Sequence, residues 1–310
     1  MDQRLDSDHR VTVAAPEQVG RRVSPVSAAM MRHAWARTTL LLSPPLAWFL
    51  VIYLASLVIM LITSLWSVNS FTQTIDHTLT TQNFHQITAG AYPKIIGRTV
   101  LLAILVTITD AVIAFPFAYV MARVATRRSQ RLLLVAVLLP LWASYLAKVY
   151  AWIAILEKGG TLNWTFTKLG LPAPNLGFTN AAMWIAFTYI WLPYMIVPIY
   201  GALERIPGSL LEASADLGGS GWTTMRRVVL PLALPGLVAG SIFTFSLTLG
   251  DYVTPLLVGG ANSTLIGNAI YDNLLTGGNL PLAAALATVP IAIMVAYLVV
   301  AKRLGAFDAL

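Results

Sequence analysis

Six stretches of mostly apolar residues recur along this chain, at roughly 40–66, 99–124, 132–156, 180–203, 230–257 and 280–300. Each has about 20 residues or more, and at about 1.5 Å of helical rise per residue that length matches the hydrocarbon thickness of a bilayer. Inside lipid every backbone polar group has to be satisfied within its own segment, so such stretches form helices. The expected fold class is an all-α integral membrane protein with about six transmembrane helices. Composition agrees: 57% of the 310 residues are hydrophobic and 11% charged, against about 25% charged in a typical soluble domain.

A net charge of +7 raises the question of nucleic acid, but the basic residues flank the apolar stretches and form no patch. No nucleic-acid partner is expected, and the lipid bilayer is the first partner. One set of connections carries Arg4, Arg10, Arg21, Arg22, Arg32, Arg37, Arg123, Arg127, Arg128, Arg131, Arg205, Arg226, Arg227, Lys302 and Arg303. The opposite set carries Lys94, Arg98, Lys158 and Lys168. This bias places both termini in the cytoplasm. Residues 1–38 read as a polar cytoplasmic tail, 39–305 as the transmembrane domain and 306–310 as a C-terminal end. The first apolar run is too long for a signal-peptide core and reads as an uncleaved span. Two outer loops, roughly 67–98 and 157–179, are long enough to hold structure.

The loop after the fourth span has its own logic. Pro207 and Gly208 break the preceding helix, Ser209 and Glu212 have the spacing of a capping box, and Gly218 and Gly219 suit a helix C-terminus. Between them Leu210, Ala213, Ser214 and Leu217 fall on one face. A helix of about ten residues is marginal alone in water, so it needs a docking surface. Either it docks on a partner, or Glu212 only caps and the helix rests on the bundle.

Glu212-Ala213-Ser214, then Gly218, then Val228-Val229-Leu230-Pro231 resemble the EAA signature of ABC-importer permeases, with Ser214 in place of Ala and Val228 where Ile is common. The resemblance implies the type I ABC-importer permease fold. It makes 209–218 a coupling helix seated on a cytoplasmic ATPase dimer, with Glu212, Ala213, Ser214, Leu217 and Gly218 as the coupling residues. Residues 247–272, with Leu249-Gly250-Asp251-Tyr252-Val253-Thr254-Pro255 and Leu265-Ile266-Gly267-Asn268, resemble the spermidine/putrescine branch, and the likeness covers roughly 40–305. It implies a non-catalytic permease subunit in a bacterial inner membrane. Its partners would be a second permease in a heterodimer, the ATPase and an external substrate-binding protein. One alternative is a permease of the same kind for an iron chelate, a phosphonate or an opine-like solute. Another is a secondary transporter that works without an ATPase.

Ionisable residues inside the apolar stretches are costly and mark pathways or internal pairs. Asp251, with Tyr252 beside it, and Asp110 are candidates to line a path for a cationic substrate. Trp142 and Trp191 are candidate cation–π partners. The alternatives are an Asp110–Lys148 ion pair that fixes packing, and tryptophans that only pack or anchor. There is no phosphate-binding Gly-x-x-x-x-Gly-Lys-Ser/Thr loop, no cysteine, and no His pair with metal-ligand spacing. No cofactor, metal site or catalytic centre is expected.

Overall fold

A computed structural model describes residues 34–69 and 71–303. The C-terminal end and residues 1–33 of the proposed tail lie outside the described residues. The chain divides into two units, one through Leu57 and one from Val58. Helix α1, Ala34–Thr63, begins in the first, so residues 34–38 assigned to the tail are helical. Pro44 and Pro45 lie within α1, and Phe49 and Tyr53, one turn apart, stack at 5.5 Å.

The second unit opens with a small hairpin, β1 (Ser67–Val68) paired antiparallel with β2 (Ile75–Asp76), and a short helix α2 (Gln82–Ile87). Asn83 ties α2 to the end of α1 by donating to the carbonyls of Ser64 (2.9 Å) and Trp66 (2.7 Å). The bundle follows as α3 (Tyr92–Tyr119), α4 (Arg127–Trp142), α5 (Tyr145–Leu156), α6 (Thr161–Lys168), α7 (Asn180–Glu204), α8 (Gly208–Asp216), α9 (Gly221–Thr224), α10 (Leu230–Gly250), α11 (Val253–Val258), α12 (Ile266–Tyr271) and α13 (Leu280–Arg303). Single π-turns extend α3, lead into α10 and follow α12.

Among the described residues, five helices are long and apolar enough to cross a membrane, and a sixth crossing needs a bent pair. That pair corrects the third expected span. Instead of one helix over 132–156, α4 and α5 are separate, and the segment 145–168 departs from the axis of α4 by 94°. Pro140 has no amide to donate in the last turn of α4, and Ala143 and Ser144 adopt extended backbone. The two pieces also bury different residues. Val137 packs with Met121 and Ile199, whereas Val149 and Leu156 pack with Phe187 and Ile190.

Helices α3, α7 and α10 pack on one another to form the centre of the second unit. Phe187, Met195, Ile199 and Leu203 of α7 are fully buried there. Close approach of α10 to α7 depends on Gly236 and Gly240, four residues apart, the small-xxx-small spacing that lets membrane helices touch. A Cβ on Gly240 would lie 2.7 Å from Met195 Sδ and 3.1 Å from both Met195 Cα and its carbonyl oxygen. The thioether can swing away, but the backbone cannot. Gly240→Leu is therefore expected to cost about 1–3 kcal/mol by overpacking, read as a lower melting temperature of the purified protein. An unchanged melting temperature would show that the α7–α10 contact is not a constraint.

Candidate functional site

The loop between α7 and α10 is fastened at its root. Arg123, in the π-turn after α3, donates to the carbonyl oxygens of Leu203 and Ile206 (2.5 Å to the latter), satisfying acceptors that the end of α7 leaves free. Pro207, with φ −63° and ψ 138°, is the N-cap of α8, and no side chain caps that end. The expected Ser209–Glu212 capping box is therefore not formed. Proline's fixed φ starts the helix two residues early and puts Ser209 inside the first turn. Glu212 is exposed, and no hydrogen bond to its carboxylate is found among the described residues.

The other end of α8 closes as the two glycines predict. Gly218 takes φ +75°, its amide reaches the carbonyl of Ala215 (2.8 Å), and the amide of Gly219 reaches that of Ser214 (2.8 Å). These are the paired bonds of a Schellman motif. The Ser214 hydroxyl bonds that of Thr224 (2.8 Å) and so faces the loop itself. Leu211 packs toward the core formed by Leu203, Ile206 and Val229. Glu212, Ala213 and Leu217 face outward, with Leu217 89% exposed. Trp222, just beyond in α9, is also 73% exposed and is absent from the sequence expectations.

The second expected site sits at a helix break. The fifth stretch is not one helix to residue 257: α10 stops at Gly250 and Asp251 leaves it with ψ 131°. One Asp251 oxygen accepts from the amides of Val253 (2.8 Å) and Thr254 (3.2 Å). The other accepts from the hydroxyls of Thr254 (3.0 Å) and Tyr145. A carboxylate that gathers four donors stabilises a sharp turn inside an apolar bundle. From the far side, Asn268 donates to the carbonyl of Tyr252 (2.8 Å). A Cβ on Gly267 would lie 2.5 Å from the carbonyl oxygen of Asp251, so only glycine fits there. The two short patterns at 249–255 and 265–268 are thus one piece of structure.

Asp251, Tyr252, Trp191 and Tyr145 line one open cavity of about 350 Å³. Trp191 stacks on Tyr145 (centroids 5.9 Å apart) and meets Tyr194 edge-on. Tyr252 stacks on Tyr271 at 4.7 Å and stays 40% exposed. Asp110 and Trp142 are not among the lining residues. Trp142 is 91% exposed at the end of α4. Asp110 is fully buried, and neither of its oxygens has a hydrogen-bond partner among the described residues, so the alternative Asp110–Lys148 pair is not formed. Tyr145 lies 106 residues from Asp251 in the chain, and no local pattern links the two.

A second open cavity, about 420 Å³, lies at the α8 end, lined by Pro198, Ala202 and Arg205, by Leu210, and by Leu232 and Ala239 among others. Leu232, Gly236, Ala239, Leu247 and Gly250 repeat at helical spacing along α10, as do Trp191, Pro198, Ala202 and Arg205 along α7. Both cavities therefore open on one face of the α7–α10 pair. From Leu232 to Gly250 that face runs about 27 Å, close to the thickness of a bilayer core.

Residues 114–305 match the family described as binding-protein-dependent transport system inner membrane component. The chain is 45% identical over 284 residues to the inner membrane ABC transporter permease protein YdcU of Escherichia coli, covering 87% of this chain and 90% of that protein. It is 31% identical over 209 residues to the spermidine/putrescine transport system permease protein PotB of Haemophilus influenzae, covering 67% and 73%. In fold it is similar to a chain of a bacterial alginate ABC transporter solved with an alginate-pentasaccharide-bound periplasmic protein, at TM-score 0.72 and 16% identity over 91% of this chain and 97% of that one.

Proposed function

This chain belongs to the family of binding-protein-dependent transport inner-membrane components, and from that membership we propose that it carries polyamines such as spermidine and putrescine into the cytoplasm. As a member it is a multi-pass inner-membrane protein and a non-catalytic permease subunit of an ABC importer, working with a separate ATPase and a substrate-binding protein. The polyamine assignment draws on the likeness to PotB and on the chemistry of the Asp251 cavity.

The carrying observation is that two cavities open on one face of α7 and α10, which we read as the two ends of one groove. At one end a carboxylate stands among Tyr145, Trp191 and Tyr252, a combination that supplies Coulomb and cation–π attraction to an ammonium group leaving water. At the other end lies α8 with Glu212 free and Leu217 exposed. In this reading the α8 end is cytoplasmic, α8 is the coupling helix on the ATPase, and a second permease closes the groove as the other half of a heterodimer. Asp110, buried and unpartnered, is a polar point within the bundle and not a wall of the open groove.

Reconstitution of the chain with its second permease, ATPase and binding protein tests the reading. ATP-driven accumulation of labelled spermidine or putrescine, with no competition from an iron chelate, a phosphonate or an opine, is the expected result. Competition by one of those solutes, with polyamines inert, would transfer the assignment to it. In the same system Glu212→Ala should lower recovery of the ATPase with the permease. Full recovery and full uptake would favour a transporter that needs no ATPase.

A further inference from the structure

The two ends of the groove carry opposite charge. Among the described residues, Asp251 is the one charged side chain lining the first cavity and Arg205 the one lining the second. Arg205 is exposed and closes the C-terminus of α7. No hydrogen bond or ion pair of its guanidinium is found there. Its immediate surroundings in the cavity are Pro198, Gly201, Ala202, Ile206, Leu232 and Pro235. Such walls hold little polarisable material, and a low-dielectric cleft lined by one sign of charge focuses that charge's field along its length. Leu203 and Ile206, on either side, have their carbonyls clamped by Arg123, so the backbone that carries Arg205 is held in place.

We infer that Arg205 is an electrostatic barrier at the α8 end of the groove, set against passive leak of polycations through the resting transporter. This rests on the cationic-substrate reading above. Each ammonium group passing the inner mouth meets a guanidinium with no acidic side chain beside it in the cavity lining. Repulsion between unit charges a few ångströms apart is several times stronger at the effective dielectric of a protein than in water. A polyamine presents more than one such charge and is opposed more strongly than a monovalent cation. An anion of similar size is favoured at the same point.

Arg205 also counts toward the positive charge that orients the chain during insertion, so the test alters its charge only after assembly. The chain has no cysteine, which makes Arg205→Cys a unique label site within it. The assembled complex carrying Arg205→Cys is reconstituted in liposomes preloaded with labelled spermidine or labelled glutamate, without ATP. It is then treated with a cationic or an anionic methanethiosulfonate of similar size, beside a complex without the substitution treated identically. The anionic label is expected to speed spermidine efflux about tenfold over the cationic one, with glutamate in the reverse order. Equal spermidine efflux with both labels overturns the barrier, as does an anionic label that speeds spermidine and glutamate alike, which would mean loosened packing. The assay needs no ATP. Failure of ATP-driven polyamine uptake by the unsubstituted complex counts against the substrate reading, whereas label-independent efflux counts against Arg205.

Discussion

Gly218→Val is expected to reduce ATP-driven uptake about five- to thirtyfold while the chain still inserts in the membrane at its normal level. The argument is local. Gly218 sits at φ +75°, a conformation that costs an L-residue roughly 1–2 kcal/mol, and more for a β-branched side chain. A Cβ there meets nothing within 4 Å, so the penalty is one of backbone conformation and not of crowding. Helix α8 has nine residues and little stability of its own, so the whole penalty falls on the fraction of molecules that present Glu212, Ala213 and Leu217 in helical register. One to two kcal/mol changes such a fraction by about five- to thirtyfold. Gly218→Asn separates conformation from identity, because asparagine enters the left-handed region at lower cost and should keep much of the uptake. Should valine and asparagine behave alike, the Schellman closure is not what the ATPase contact depends on.

The second large effect concerns Asp251. Removal of its carboxylate in Asp251→Ala strands the amides of Val253 and Thr254 and leaves the hydroxyls of Thr254 and Tyr145 only their bond to each other (2.6 Å). Each buried group left without a partner costs about 1–3 kcal/mol, so the turn from α10 into α11 is lost and the protein level falls with uptake. Asp251→Asn is the informative variant. Its remaining oxygen can still accept from the two amides, so the turn survives, while the negative charge facing the cavity is gone. Uptake of spermidine should then fall about tenfold more than the amount of protein in the membrane, as measured by transport normalised to immunoblot. Parallel loss of uptake and protein would reduce Asp251 to a purely structural capping residue.

Much of this architecture is legible in linear sequence because lipid simplifies the problem. A bilayer core offers no hydrogen bonds, so a run of about 20 apolar residues has one structural solution. The α8 segment is legible for a related reason, since Pro207 and Gly218 act on backbone dihedrals within a residue or two. Where the reading fails, either a distant contact or a competing local signal is responsible. The 132–156 stretch is apolar throughout, and its division into α4 and α5 follows from two cores that capture Val137 and Val149 separately. The capping box at Ser209 and Glu212 has the right spacing and is pre-empted by a proline two residues upstream of the serine.

The candidate site divides in the same way. Asp251, Tyr252 and Trp191 stand out as costly or aromatic residues in apolar runs. That they share a cavity, that Tyr145 completes it, and that Trp142 and Asp110 lie elsewhere depends on the pairing of α5, α7 and α10. The amino-acid sequence by itself determined that the chain lives in a membrane, that about six apolar segments are available to cross it, and which short loop carries a helix. Those properties arise from solvation and from backbone geometry within a few residues. Only the tertiary structure decided where the spans break and that the cavities at Asp251 and Arg205 open on one face. Such features depend on which helix faces which, and side chains about a hundred residues apart come into register only after the bundle has packed.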